Sequence, residues 1–166
     1  MQTDFDADAF AKGLPQSILR RFFDYWRAKK GSREMPTRAD LDPLDFAYAL
    51  GHLILVDVER NPMRFRFRLY GTALINFFRD GDYTGKYADE LLPPDYAPYV
   101  VELYRTAVEA RIPRYARRDL VMNNQRLSYD ALTLPLADSD NPAEIAMLVV
   151  LLLPQERSTP TDSGRI

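Results

Sequence analysis

The chain has 166 residues, a net charge of −2 and no cysteine, a length that suits one domain, since domains usually run to about 100–150 residues. Without cysteine there is no disulfide, thiolate metal site, iron–sulfur cluster or cysteine nucleophile. The slightly acidic balance offers no basic footprint for nucleic acid.

In chain order, residues 1–13 read as a flexible start and 155–166 as a flexible tail, with a single domain over 14–154 between them. The opening Met1-Gln-Thr-Asp-Phe-Asp is acidic where a signal peptide would be basic. The longest apolar run, Ile145 to Leu153, falls short of the ~20 residues that cross a bilayer. A cytoplasmic protein with no membrane insertion is expected. Leu19, Phe22, Phe23 and Trp26 recur at helical spacing within residues 14–31, opposite Arg20, Arg21, Asp24 and Arg27. Pro15 or Ser17 suits the start of that helix and Gly31 its end.

A short helix is expected over Pro43–Leu50. The period then changes: His52 to Glu59 is apolar and β-branched, Asn61-Pro62 is a turn, and Arg64 to Leu69 alternates strictly. That alternation assigns Phe65, Phe67 and Leu69 to one face and three arginines to the other. Gly71-Thr72 stops the strand, with Thr72 placed to cap a helix carrying Leu74, Ile75, Phe77 and Phe78. Asp80 to Lys86 reads as a loop and Tyr87 to Leu91 as one further turn before Pro93-Pro94. Val100, Leu103, Tyr104, Ala107 and Val108 then mark the clearest helix, which Pro113 ends. Three strands follow, about 114–122, 126–135 and 144–153, with Asn123-Asn124 and Asp138 to Pro142 as turns. The last is apolar at nearly every position and needs cover on both faces.

Helix, two strands, short helices, a long helix and three strands is the element order of a PAS domain. The runs Phe22-Phe-Asp-Tyr-Trp-Arg, Met35 to Leu44, Phe65-Arg-Phe-Arg-Leu-Tyr-Gly-Thr, Thr84-Gly-Lys and Leu91-Leu-Pro-Pro-Asp-Tyr resemble a family of short bacterial PAS-like proteins common in alphaproteobacteria. The resemblance spans Leu19 to Leu153. It implies an α+β fold: a five-stranded antiparallel sheet with helices on one face. The N-terminal amphipathic helix then covers the other face or forms a dimer interface. It also implies a role in sensing small ligands, redox state or light, or in docking proteins.

Several residues invite a chemical reading. His52 is the only histidine; haem-binding relatives present theirs from the helix before the third strand, and Asp95 to Ala110 has none, so haem through histidine is not expected. The cysteine-adduct flavin chemistry of light sensors is excluded, and the cofactor stays unknown. Gly81-Asp-Tyr-Thr-Gly85-Lys86 has one residue too few for a phosphate loop, and Tyr87 follows the lysine. The pairs Asp40 and Asp42, Asp57 and Glu59, Asp89 and Glu90, and Asp138 and Asp140 lack histidine neighbours or metal-loop spacing. Asp57 interrupts an apolar strand. Neither a catalytic residue nor a metal site is assigned.

Phe67, Leu69, Tyr70, Phe77, Phe78, Tyr87 and Tyr104 lie on elements that a PAS fold gathers around its cavity, and they form the candidate ligand site; the alternative is a filled core. Leu19, Phe22, Phe23 and Trp26 form the candidate interaction helix. Arg105, Arg111, Arg114, Arg117 and Arg118 make a basic neighbourhood, either a solvated face or a meeting place for an acidic partner or anionic ligand. The expected function is regulatory binding of a small ligand, a signalling partner or both, without catalysis, with a homodimer as one form of partner. An adaptor with a filled core is the alternative, and an enzyme of unknown class the third reading.

Overall fold

A computed structural model of the chain describes residues 5–158. Helix α1 (Ala7–Gly13) opens it, with the Asp6 side chain accepting from the Ala9 amide at 3.0 Å. This corrects the reading of residues 1–13 as wholly loose: Phe10 packs its ring 4.9 Å from that of Phe23. Helix α2 (Ser17–Lys30) follows and stops at Gly31, whose φ of 56° lies in the region that favours glycine. Residues 43–52 wind as a 3-10 helix kinked at Phe46 in place of a short α-helix.

Strands β1 (Leu53–Glu59) and β2 (Arg64–Tyr70) form a hairpin. Helix α3 (Thr72–Phe78) starts with Gly71 as its cap, so Thr72 is its first residue and caps nothing. Gly71 sits so close to the Gly51 carbonyl that a Cβ would lie 2.2 Å from its oxygen. After a 3-10 turn at Ala88–Glu90 come α4 (Tyr96–Ala110) and strands β3 (Arg114–Met122), β4 (Gln125–Ala137) and β5 (Ile145–Ser158). Strand β5 thus takes in residues 155–158, assigned from sequence to the flexible tail; the remainder of that tail lies outside the described residues.

The five strands form one antiparallel sheet in the order β2-β1-β5-β4-β3. Apolar β5 is central, paired with β1 and β4, which explains a strand needing cover on both faces. Alternation along β4 separates two layers. Tyr129 and Ala131 point toward α4, while Asp130 between them meets Gln16 at the start of α2. The N-terminal helices therefore cover the second face of their own sheet.

One local event breaks the sequence pattern. Leu55 pairs with Leu69 but Val56 pairs with Phe67, so Arg68 is an extra residue in β2. Such a bulge flips every side chain beyond it to the opposite face. Phe65 and Phe67 point inward as expected, whereas Leu69 turns outward at 40% exposure and Tyr70 turns in.

Candidate functional site

A small chamber of about 30 Å³ lies between the sheet and α4, room for two or three waters at roughly 10–15 Å³ each. Its walls are mostly apolar, with Ile54, Val100, Val150 and Leu152 among them, but four phenols converge on it: Tyr70, Tyr96, Tyr104 and Tyr129. Helix α4 supplies Tyr96, Val100 and Tyr104 at four-residue spacing from one stripe, and β4 supplies Tyr129 and Ala131 from one face. The Tyr96 and Tyr129 hydroxyls hydrogen-bond to each other, and either can donate. The Tyr70 and Tyr104 hydroxyls have no hydrogen-bond partner among the described residues, although both side chains are buried.

Burial is the first cause that pushes all four phenols far above the usual tyrosine range, reinforced by the proximity of one phenol to another. They are neutral hydroxyls at physiological pH. Tyr83, whose ring packs on Phe67 and Tyr70, is pushed up to about 12 by burial and then by its bond to Asp80. Folded values above the unfolded one stabilise the protein fully below about pH 10, and that contribution is lost as pH rises further. A titration followed at 295 nm should show these four of the ten tyrosines ionising only as the protein unfolds; ordinary titration of all ten in folded protein contradicts the burial.

Of the seven residues assigned to the cavity from sequence, Phe67, Tyr70, Phe78 and Tyr104 line it. Leu69 does not, because of the bulge. Phe77 is half-buried beside Phe78, on the flank of α3 rather than its inner stripe. Tyr87 faces outward: its hydroxyl donates to Glu59 at 2.9 Å and its ring receives the Arg64 guanidinium at 3.5 Å. Tyr96 and Tyr129 went unassigned. Tyr96 was legible as the stripe of α4 continued one turn back, and Tyr129 as a tyrosine in the register of Ala131.

Leu19, Phe22, Phe23 and Trp26 are all buried in α2 against this chain's own sheet and its Pro43–His52 helix. The Trp26 indole donates to the Pro135 carbonyl at 3.0 Å, and the Phe22 ring meets Phe46 edge-on. As a correction, that apolar stripe is not exposed for a partner. Beneath the same layer lies the largest surprise: Asp130 is 0% exposed. Its carboxylate accepts from Gln16 Nε2 at 2.7 Å, from the Tyr115 hydroxyl at 2.5 Å and from the Gln155 amide. Arg117, its register partner on β3, brings positive charge near without forming an ion pair.

Four of the carboxylates noted in the sequence have structural partners. Asp57 pairs with Arg68 and Asp89 with Arg64, while Asp40 caps Thr37 and Asp138 accepts two turn amides. The loop at Gly81–Lys86 is a turn whose Gly85 and Lys86 hydrogen-bond the Phe67 backbone. His52 ends the 3-10 helix and is not part of the chamber wall. Toward the β1–β2 edge, Leu50, Leu55 and Leu69 border an apolar groove of about 50 Å³. Among the described residues, no cluster of three or more His, Asp or Glu could hold a metal ion, and no helix is long and apolar enough to cross a membrane.

The family model of the PAS domain matches residues 15–152, and the chain belongs to that family. Its members are typically sensory modules. The chain is similar to the PAS domain of BvgS from Bordetella pertussis, with a TM-score of 0.53 and 23% identity over 70% of this chain and 88% of that one. It is also similar to a light-oxygen-voltage domain, with a TM-score of 0.52 and 13% identity over 71% and 88% of the two chains. These likenesses show the α+β fold. No curated protein matches the chain.

Proposed function

We propose that this domain is a regulatory binding module in which a small molecule in the tyrosine chamber is the signal and a separate protein, or a second copy, receives it. The reading does not involve catalysis by the domain, and it places the protein in the cytoplasm. The observation that carries it is the pair of partnerless hydroxyls, Tyr70 and Tyr104, on an otherwise apolar interior. Both hydroxyls open onto the chamber and are not sealed by protein atoms, and an occupant with one or two polar atoms satisfies them. Strand β4 offers a route outward: Tyr129 is in the chamber and the next residue, Asp130, holds the start of α2. An occupant that favours one packing of α2 over another shifts what partners meet, which requires differential affinity for two states and not occupancy alone.

A chamber of about 30 Å³ favours an occupant of a few atoms, well below the roughly 300 Å³ at which drug-sized pockets begin. The same volume supports the second reading, an adaptor with a filled interior whose partner sits on the groove beside Leu50, Leu55 and Leu69. An absorption spectrum of freshly purified protein, with mass spectrometry of what denaturation releases, separates the two. The expected result is a stoichiometric small molecule, retained about tenfold less well by Tyr104→Phe, which removes one hydrogen-bonding hydroxyl. An empty protein with unchanged self-association in Tyr104→Phe turns the reading to the adaptor.

A further inference from the structure

A larger hollow lies where the start of α1, the last turns of α2 and the end of α4 meet. It shares no wall residue with the tyrosine chamber. Its volume is about 420 Å³, within the roughly 300–1,000 Å³ of small-molecule sites. An apolar cavity of about 150 Å³ already holds benzene, so a ring with a short side chain fits here.

Phe5, Trp26, Ile112 and Pro113 give the cleft its apolar wall. That wall is held in place by ring contacts. Phe5 packs 5.3 Å from Phe10, Phe10 lies 4.9 Å from Phe23, and Phe23 stacks on Trp26 at 6.0 Å. The bond from the Trp26 indole to the Pro135 carbonyl fixes the far end.

The polar side comes from α2, where Arg27 and Lys30 line the cleft together with Trp26. Residues three and four apart share one face of a helix. Two further charges on the wall, Arg111 and Glu34, are taken up by each other through hydrogen bonds of 3.0 and 3.2 Å. Arg27 gives one terminal nitrogen to Asp8 at 2.7 Å, which leaves its remaining donors uncommitted among the described residues. Lys30 differs from both. The Gly31 and Arg33 carbonyls hold its ammonium at 3.3 and 3.2 Å, and no carboxylate pairs with it among the described residues. An ammonium has three donors, so one is left over. The cleft thus carries an uncompensated positive charge beside a fixed apolar wall.

We infer that this cleft binds a small aromatic carboxylate. Its ring lies against Phe5, Ile112 and Pro113, and its carboxylate accepts from Lys30 and Arg27. Charge-assisted hydrogen bonds of this kind are about twice as strong as neutral ones. One negative charge balances the free ammonium. A dianionic phosphate brings a second charge toward Glu34 and the negative end of α2, which repel it. The site does not depend on what fills the tyrosine chamber.

The test is calorimetric titration of the full chain with phenylacetate, beside acetate, which keeps only the charge, and 2-phenylethanol, which keeps only the ring. Phenylacetate is expected to saturate one site, with the other two at least tenfold weaker. Lys30→Gln should weaken phenylacetate about tenfold or more, the usual effect of losing a charge-assisted hydrogen bond, and Lys30→Arg should retain it. Ala110→Phe, at an exposed position on the cleft wall, should abolish binding by filling the space while the melting temperature stays unchanged. Lys29→Gln removes a charge that faces Asp45 and is not part of the wall, so it should bind like the parent. The inference is overturned if phenylacetate binds no better than acetate, or if Ala110→Phe binds normally. It also fails if Lys29→Gln weakens binding as much as Lys30→Gln, or if phenyl phosphate binds more tightly than phenylacetate. Tyr104→Phe separates the two sites. Phenylacetate binding that survives Tyr104→Phe supports the cleft whatever the chamber holds, and binding lost there but kept in Ala110→Phe assigns the ligand to the chamber instead.

Discussion

Phe23→Ala is expected to destabilise the domain by about 3–5 kcal/mol, the usual range for truncating a buried large aromatic ring. Phe23 is 0% exposed, between the ring of Phe10 on α1 and the stacked indole of Trp26. Its loss leaves a void that α1, seven residues long, cannot close without leaving its own contact. Denaturant unfolding followed by circular dichroism measures the change. The same variant tests how the layer is used. If α2 covers its own sheet, the loss appears as stability at every protein concentration. If the stripe served a dimer, the loss would depend on concentration and vanish in dilute solution. A stability within about 0.5 kcal/mol of the parent would contradict the packing described for the N-terminal layer.

The second large effect is at Asp130. Asp130→Ala should cost about 2–4 kcal/mol, since hydrogen bonds to a charged acceptor contribute about 1.5–3 kcal/mol and the donors left behind are partly buried. Three parts of the chain lose their common acceptor at once: Gln16 before α2, Tyr115 on β3 and Gln155 on β5. Asp130→Asn keeps an acceptor oxygen and should cost less, which separates the loss of the hydrogen bonds from the loss of charge. Hydrogen exchange adds a local readout. Amides of α1 and α2 should lose protection in Asp130→Ala before those of β1 and β2 do. Equal stability of Asp130→Ala and the parent would mean that the carboxylate does not fasten the N-terminal layer to the sheet.

Much of the architecture was legible along the chain because its signals are local. Periods of 3.6 and 2 residues located α2, α4 and the strands to within a few residues, and proline, glycine and asparagine marked the breaks. Helix α1 escaped because its first turns carry Ala7, Asp8, Ala9 and Phe10, too little for a stripe. Its Phe10 finds a place only once Phe23 is there to meet it. Strand β5 was read too short because Gln155 resembles a tail residue until Asp130 is beside it.

The chamber divides along the same line. Phe67, Phe78 and Tyr104 follow from strand and helix phase, which each element carries in its own residues. Leu69 and Tyr70 do not: the bulge at Arg68 depends on how β2 pairs with β1, where Arg68 reaches Asp57 at 2.9 Å. No glycine or proline announces it. Asp130 carried no signal in the sequence because its meaning rests on Gln16, 114 positions away. That Arg114 and Arg118 share the α4 side of the sheet with Thr133 follows only from the register of β3 on β4, which turns a scattered basic run into two arginines on one face and Arg117 on the other. Backbone preference and hydrophobic period are properties of neighbouring residues, so element order and fold class could be read directly. Which side chains share a chamber depends on pairing register and on contacts between distant segments, and those exist only in the folded chain.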